Sequence, residues 1–162
     1  MMARGFTLVE LLVTTVILLV LASLTLPMLG DSDQVKSDAT ARILIADAQY
    51  AQMIALARPD VRVALQIDED GKGWSIVDAD SPGTPLTDAL DEQHTPRSLV
   101  TRLGEGRASI AQGAHVSPEG GVLVFTPLGG LEAPINGVAS HAGERTTPVD
   151  IDCDTGFAMV AH

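Results

Sequence analysis

The feature that most constrains this chain is an apolar run that extends from Phe6 to Leu29. Up to Pro27 its only ionisable side chain is Glu10, and the other residues are almost all Leu, Val, Ile, Ala and Thr. A membrane-crossing helix needs about 20 consecutive apolar residues, and this run meets that length. Pro27 is the first strong helix breaker. The sequence therefore predicts a transmembrane helix over residues 6–29.

Glu10 is the exception within this run. A carboxylate inside a membrane helix costs about 2.5–3.5 kcal/mol on insertion scales, so such residues usually have a partner. Cleavage between Gly5 and Phe6 would create an α-amino group at Phe6, and its positive charge could pair with Glu10 of a neighbouring copy or partner. The alternative is that Glu10 lies at the level of the lipid headgroups and is solvated.

The segment Gly5–Glu10 reads Gly-Phe-Thr-Leu-Val-Glu and resembles the processing site of type IV prepilins and type II secretion pseudopilins. In that family a prepilin peptidase cuts after the glycine and methylates the new N-terminal phenylalanine. The resemblance therefore implies cleavage after Gly5, methylation of Phe6, and a role in assembly for Glu10. Pro27 lies where the family's helix is commonly kinked. The resemblance ends near Gly30 and leaves open whether the machine is a secretion system or a pilus.

An ordinary secretory signal is the alternative for this N-terminus. Such signals combine a basic segment, an apolar core of about 7–15 residues and small residues at the cut. Val20-Leu21-Ala22 supplies only a weak cut site of that kind. The apolar run is longer than such a core, contains Glu10 and continues past Ala22, so prepilin-type processing is favoured.

Composition and charge limit the remaining function classes. The 162 residues predict one domain plus an anchor, and only 3% are aromatic, so the core must be mainly aliphatic. Cys153 is the only cysteine, which excludes an intramolecular disulfide. The net charge is −11 and the basic residues are scattered, so no nucleic-acid partner is expected. Arg4 alone precedes the span, which favours a cytoplasmic N-terminus and a periplasmic head.

The chain divides into a leader at 1–5, the predicted span at 6–29 and a head at 30–162. Within the head we expect a helix over 32–58 that ends before Pro59, followed by a β-rich part over 61–162. Apolar residues recur at steps of three and four along the helix and predict its buried face. These residues are Val35, Ala39, Ile43, Ala46, Tyr50, Met53 and Ile54.

The β-rich part begins with alternating residues from Val61 to Ile67, a turn signal at Asp70-Gly71-Lys72-Gly73 and a second run from Trp74 to Val77. This pattern predicts a hairpin. Polar, proline-rich residues predict a long surface loop over 80–97, and a Gly/Ser/Thr-rich composition predicts a mobile loop over 133–148. Further predicted strands are Leu99–Leu103, Ala108–Ile110, Gly121–Phe125, Val149–Cys153 and Phe157–Val160.

A long N-terminal helix followed by short antiparallel strands resembles the α+β pilin-like fold. Residues Gly121–Gly130 are similar to a strand and turn of the H-type minor pseudopilins and their pilus relatives (GspH/FimT-like), and Asp152–Val160 resembles their closing hairpin. Many members of that subtype carry arginine in the final strand. Phe157–His162 has none, which argues against carrying over a DNA-binding role.

Three groups of residues are candidates for other chemistry. Asp150, Asp152 and Asp154 alternate, so in a strand they would share one face and could hold calcium or simply be solvated. The spacing lacks the glycine and glutamate of a helix-loop-helix calcium loop. The four histidines, His94, His115, His141 and His162, lack short zinc-ligand spacings and are predicted to lie in separate loops and edges. Ser140-His141 lacks the sequence context of a hydrolase nucleophile.

Two function classes remain. The first is a structural minor pseudopilin of a type II secretion pseudopilus, inserted near the filament tip, or a minor type IV pilin that serves DNA uptake, adhesion or motility. The second is a membrane-anchored periplasmic enzyme or binding protein. The Gly5, Phe6 and Glu10 pattern favours the first. Its expected partners are a prepilin peptidase, other pseudopilins or pilins and the inner membrane, with no cofactor, metal or small-molecule substrate.

Overall fold

The computed structural model describes residues 7–25, 32–86 and 99–161. The chain divides into two compact units, Met1–Ser32 and Asp33–His162. The first unit contains helix α1, Leu8–Thr25. Among the described residues, no helix combines the length and apolar character needed to cross a membrane. The predicted span at 6–29 begins and ends outside the described residues.

The second unit contains nearly all of helix α2, Ser32–Ala57, followed among its described residues by short strands and one 3₁₀ helix, Gly106–Ala111. The helix stops one residue short of the predicted 32–58, and Pro59 follows it closely. The strands in the described part are β1 Val63–Ile67, β2 Gly73–Asp78, β3 Val100–Arg102, β4 His115–Ser117, β5 Val122–Val124, β6 Ala139–Ala142, β7 Arg145–Ile151 and β8 Ala158–Val160.

The strands form two four-stranded antiparallel sheets. The first has the order β3-β2-β1-β5 and the second the order β4-β6-β7-β8. The core is mainly aliphatic, as expected, and its largest buried side chains are Trp74 and Phe125. A helix on antiparallel sheets is the predicted α+β architecture, and it is consistent with a pilin-like fold.

The first hairpin was predicted correctly. Strands β1 and β2 pair along their length, with Val63 opposite Asp78 and Ile67 opposite Trp74. Gly71 lies in the turn with a positive φ of 64°, and a Cβ there would lie 2.7 Å from the Val116 carbonyl oxygen. The Val116 amide donates to the Gly71 carbonyl at 2.8 Å. Only glycine fits this close approach, through which the hairpin turn contacts the second sheet.

Two other predictions about the β-rich part are wrong. Ala108–Ile110 is not a strand but part of the 3₁₀ helix, because Ala108 and Ala111 are both buried, at a spacing of three rather than two. The predicted mobile loop at 133–148 contains β6 and the start of β7. Its strand signal was hidden because polar side chains occupy inward positions there. Most of the predicted loop at 80–97 lies outside the described residues.

The predicted buried face of α2 is also wrong. Val35 and Met53 are 51% and 46% exposed, and of the predicted residues only Ile54 is fully buried. The face that packs inward is rotated relative to the prediction and includes three polar side chains. Its residues are Ser37, Thr40, Ala41, Leu44, Asp47, Ala48, Ala51, Ile54 and Ala55.

Hydrogen bonds attach the N-terminal half of α2 to the second sheet. The fully buried Ser37 hydroxyl donates to Thr147 Oγ1 of β7 at 2.8 Å. Ser140 of β6 donates to the Ser37 carbonyl oxygen at 2.6 Å. Thr147 in turn donates to the Asp38 carboxylate at 2.8 Å. Each buried hydroxyl therefore has a partner, which removes the cost of burying it.

Asp47 attaches the middle of α2 to the first sheet and to the 3₁₀ helix. Its side chain is buried, and Oδ2 accepts hydrogen bonds from Trp74 Nε1 at 2.7 Å and Thr101 Oγ1 at 2.8 Å. The guanidinium of Arg107 forms an ion pair with the same oxygen. Three donors on one carboxylate offset much of the cost of removing its charge from water.

Replacing Asp47 by Ala should lower the free energy of unfolding of the 33–162 fragment by about 2–3 kcal/mol, because the buried Trp74 N–H loses its acceptor. Asp47→Asn retains an acceptor but not the charge, so its free energy of unfolding should lie between those of the unsubstituted fragment and of Asp47→Ala. Asp150→Ala, at an exposed position, is the matched control and should change stability by less than about 0.5 kcal/mol. Urea denaturation measures all three. Equal effects at the two positions would contradict the anchoring role of Asp47.

Candidate processing and assembly site

The predicted processing and assembly residues lie at the N-terminus. Gly5 and Phe6 are outside the described residues, whereas Glu10 lies in the first turn of α1. Cleavage at Gly5, methylation of Phe6 and assembly through Glu10 therefore remain predictions. The geometry around Glu10 shows how the sequence defines the start of this helix.

Thr7 immediately precedes α1 and caps it. The amide of Glu10 donates to Thr7 Oγ1 at 3.3 Å and to the Thr7 carbonyl oxygen at 3.1 Å. A threonine at the cap with a glutamate three residues later is the spacing of a capping box. A carboxylate in the first turn also interacts favourably with the positive end of the helix dipole. Thr7 and Glu10 together therefore favour a helix that begins at Leu8.

The first unit buries none of its described side chains. Every residue from Thr7 to Leu21 is exposed, and Leu8 and Leu19 are 82% and 70% exposed. The hydroxyls of Thr14 and Thr15 donate to backbone carbonyl oxygens one turn earlier, at 2.9–3.0 Å, and so need no outside partner. A helix that is apolar all round belongs in an apolar environment.

Glu10 differs from these threonines. Within residues 7–25 its carboxylate has no ion pair and accepts no hydrogen bond from a side chain. In an apolar environment an unpaired carboxylate is costly, so it needs a partner from outside the helix or contact with water. Glu10 is therefore the one polar group of the described α1 side chains that the helix does not satisfy itself.

The predicted shared face of Asp150, Asp152 and Asp154 is wrong. Strand β7 ends at Ile151, so only Asp150 belongs to it. Asp152 instead accepts hydrogen bonds from the Thr155 amide and hydroxyl, both at 2.7 Å, which lower the pKa of its carboxyl below the ordinary range. Across 7–25, 32–86 and 99–161, no group of three or more His, Cys, Asp or Glu side chains is arranged to hold a metal.

The histidines are not all separate, contrary to the prediction. His115 of β4 and His141 of β6 are directly opposite each other, and their rings stack with centroids 4.7 Å apart. His94 and His162 lie outside the described residues. Sequence spacing gave no signal for this pair, because the register of two strands distant in sequence brings the rings together.

His141 also contacts two hydroxyls. Its Nε2 lies 2.9 Å from Ser117 Oγ and its Nδ1 lies 3.0 Å from Thr146 Oγ1. A serine beside a histidine resembles part of a hydrolase site, but the third group here is a hydroxyl. A hydroxyl cannot stabilise an imidazolium as a buried carboxylate does. The arrangement is better suited to fixing the β4–β6 register than to activating Ser117.

A cavity of about 550 Å³ lies beside β3, with Asp47, Tyr50, Ile76, Thr101 and Arg107 among its lining residues. Its volume falls within the range of small-molecule sites, about 300–1,000 Å³. The one buried carboxylate in its lining, Asp47, already accepts three hydrogen bonds from protein donors. Its polar groups therefore serve the fold, and we assign no ligand to it.

Acidification should destabilise the 33–162 fragment through His141. Burial, and then the adjacent His115, lower the pKa of His141 below its ordinary value of 6.5. The unfolded chain therefore binds the proton more readily, and stability falls as the pH drops through about 6.5. His141→Gln should reduce the fall in melting temperature between about pH 7.5 and about pH 5.5. Carboxyl groups titrate at lower pH and contribute less over this range. If His141→Gln leaves the pH dependence of the melting temperature unchanged, the assignment to His141 is contradicted.

Comparison with known proteins gives one match. Residues 1–26 match the family model described as the prokaryotic N-terminal methylation motif. No curated protein matches the chain, and no solved structure matches it. The match covers the predicted processing residues and the whole of α1 and does not reach the head. It supports a type IV pilin-like protein, which implies processing by a prepilin peptidase and assembly with other pilins.

Proposed function

We propose that this chain is a structural minor pseudopilin of a type II secretion pseudopilus. A prepilin peptidase would cut after Gly5 and methylate Phe6, and the subunit would then enter the filament near its tip and support protein export. Residues 6–29 would anchor it once in the inner membrane, with the head in the periplasm. The observation that carries this proposal is the match to the methylation motif, together with a helix in which Glu10 is the one described side chain whose polar group the helix does not satisfy.

Helix α1 needs surroundings that its described residues do not provide. Its exposed apolar surface needs lipid or other helices, and its carboxylate needs a cation. The α-amino group that cleavage creates at Phe6 would be such a cation, located at the same end of the helix as Glu10. In a bundle of such helices the amino group of one subunit and Glu10 of its neighbour would each offset the cost of burying the other. Neither requirement is met by one copy alone.

The head supports a structural role in a secretion filament. Its acidic balance, in a chain with net charge −11, opposes contact with nucleic acid and so disfavours the DNA-uptake alternative. The Ser117–His141 pair lacks the third group of a hydrolase, as argued above. The polar clusters of the described head have structural partners, which fits a rigid subunit of a larger assembly.

Replacing Gly5 by Val should block processing, since the peptidase of this family requires a residue without a side chain before the cut. The chain would be co-expressed with a prepilin peptidase, and an immunoblot would measure the fraction converted to the shorter form. Ala3→Val, further from the junction, is the matched control and should be cut normally. Normal conversion of Gly5→Val would show that the cut lies elsewhere.

Replacing Glu10 by Ala should reduce recovery of the other pilin-like subunits with this chain from detergent-solubilised membranes by at least tenfold. Leaving one member of a desolvated ion pair alone costs about 3–5 kcal/mol, and tenfold corresponds to about 1.4 kcal/mol. Thr14→Val, one turn further along the same helix, is the control and should assemble normally because the Thr14 hydroxyl only satisfies its own backbone. Full recovery of the other subunits with Glu10→Ala would show that Glu10 has no pairing role and is solvated instead.

A further inference from the structure

Four exposed apolar side chains lie near the C-terminal end of α2. Leu128 is 92% exposed, and Leu56, Phe157 and Met53 are 52%, 50% and 46% exposed. We call these four residues the turn patch. Leu128 lies in the turn between β5 and β6, Phe157 lies just before β8, and the other two lie on the last two turns of α2. Three separate segments thus contribute to the patch.

Hydrogen bonds from one glutamine hold the two turns against α2. Gln52 Nε2 donates to the Gly129 carbonyl oxygen at 2.9 Å and also to the Thr155 carbonyl oxygen. The Gly129 amide donates to the Thr126 carbonyl oxygen at 2.9 Å, which closes the turn that carries Leu128. The neighbours of Leu128 and Phe157 in sequence are therefore fixed to the same helical residue.

The two turns also pack backbone against backbone. A Cβ at Gly156 would overlap the Gly129 carbonyl oxygen, and one at Gly129 would lie 3.4 Å from Leu56 Cδ2. Both glycines have a positive φ, of 68° and 92°. Side chains are excluded from this junction, so the turns come close together and to Leu56. The backbone that carries Leu128 and Phe157 is consequently held in place against α2.

Leu128 contributes almost nothing to folding at 92% exposure, since the hydrophobic contribution follows the area removed from water. A single exposed leucine is common, but several apolar side chains grouped on a rigid surface indicate an interaction site. Clusters of this kind are the anchors around which protein interfaces form. The described structure gives Leu128 no internal role.

The charges near the patch indicate the chemistry of the partner. Asp152 and Asp154 are exposed in the loop that leads to Phe157. Hydrogen bonds from Thr155 lower the pKa of Asp152, so this carboxylate is ionised at neutral pH. Arg58, directly after α2, is the cation nearest in sequence to the α2 part of the patch. Its single positive charge is outnumbered by the two carboxylates. A second copy would bring the same carboxylates and the same excess negative charge to the interface, which like-charge repulsion disfavours.

We propose that the turn patch docks a different pilin-like subunit, through an apolar pocket that receives Leu128 and lysine or arginine side chains at its rim. This inference rests on the proposed function and specifies the surface and the partner chemistry that it uses. Apolar anchoring would supply affinity, and the charges around it would select a basic partner over a second copy.

The test places a photo-crosslinking benzophenone amino acid at position 128 of the full chain, in cells that produce the complete set of pilin-like subunits. Position 109, exposed on the 3₁₀ helix, is the control. We expect position 128 to crosslink to one other pilin-like subunit, identified from its peptides by mass spectrometry, and position 109 not to do so. Crosslinks to a second copy, to lipid or to nothing would overturn the proposal.

Substitutions test the chemistry of the contact. Leu128→Asp should reduce co-purification of that subunit at least tenfold, whereas Leu128→Met should preserve it. Asp154→Lys should weaken recovery and Asp154→Glu should not. The melting temperature of each variant shows whether it is folded. Leu128 is too exposed for folding to depend on it. Phe6 methylation, measured in the same samples, separates the two hypotheses. If Phe6 is methylated and Leu128→Asp does not reduce co-purification, only the docking surface is refuted. If Phe6 is not methylated, the proposed function is refuted.

Discussion

The head depends on how one helix satisfies polar side chains that it buries. Helix α2 packs inward with Ser37 and Asp47 on its buried face, and each finds its partners on a different sheet. Ser37 bonds to the second sheet, and Asp47 bonds to the first sheet and the 3₁₀ helix. Because an unpaired buried polar group costs free energy, these bonds are formed only when both sheets are in place. They therefore specify one position of the helix, which aliphatic contacts alone would define less sharply.

Helix α1 differs from α2 because its described side chains are exposed rather than packed against a sheet. These side chains are mostly apolar, and the hydroxyls of Thr14 and Thr15 are satisfied by the helix's own backbone. Among the described side chains of α1, only Glu10 needs a group from outside the helix. The two helices thus differ, since α2 completes its own hydrogen bonding within the head, whereas under the proposed function the surface and the carboxylate of α1 would be satisfied by other subunits. Such a division would keep the filament contact from competing with folding.

The sequence predicted features that are local and missed features that depend on long-range pairing. The β1–β2 hairpin was predictable because alternation and the Asp70-Gly71 turn are both local signals. The α2 buried face was not, since Ser37, Thr40 and Asp47 are polar and the partners of Ser37 and Asp47 lie far away in the chain. For the same reason Ser140 and Thr147 concealed β6 and the start of β7. The His115–His141 stack followed only from the strand register.

The site shows a similar division. Gly5, Phe6 and Glu10 form a contiguous motif that sequence alone identifies, and residues 1–26 match the corresponding family model. The Asp150, Asp152 and Asp154 hypothesis failed because β7 ends at Ile151 and Asp152 turns to cap Thr155. The turn patch had no sequence signal, since leucine, phenylalanine and methionine are ordinarily core residues. Only the arrangement of Gly129 and Gly156 around Gln52 shows that these side chains remain outside.

The account depends most on the claim that the chain is processed as a prepilin. The most direct measurement is intact-mass and N-terminal peptide mass spectrometry of the full chain isolated from membranes of cells that contain a prepilin peptidase. The account predicts a chain that begins at Phe6 and carries one methyl group on its α-amino nitrogen. A chain that retains Met1, or one cut after Ala22, would contradict it.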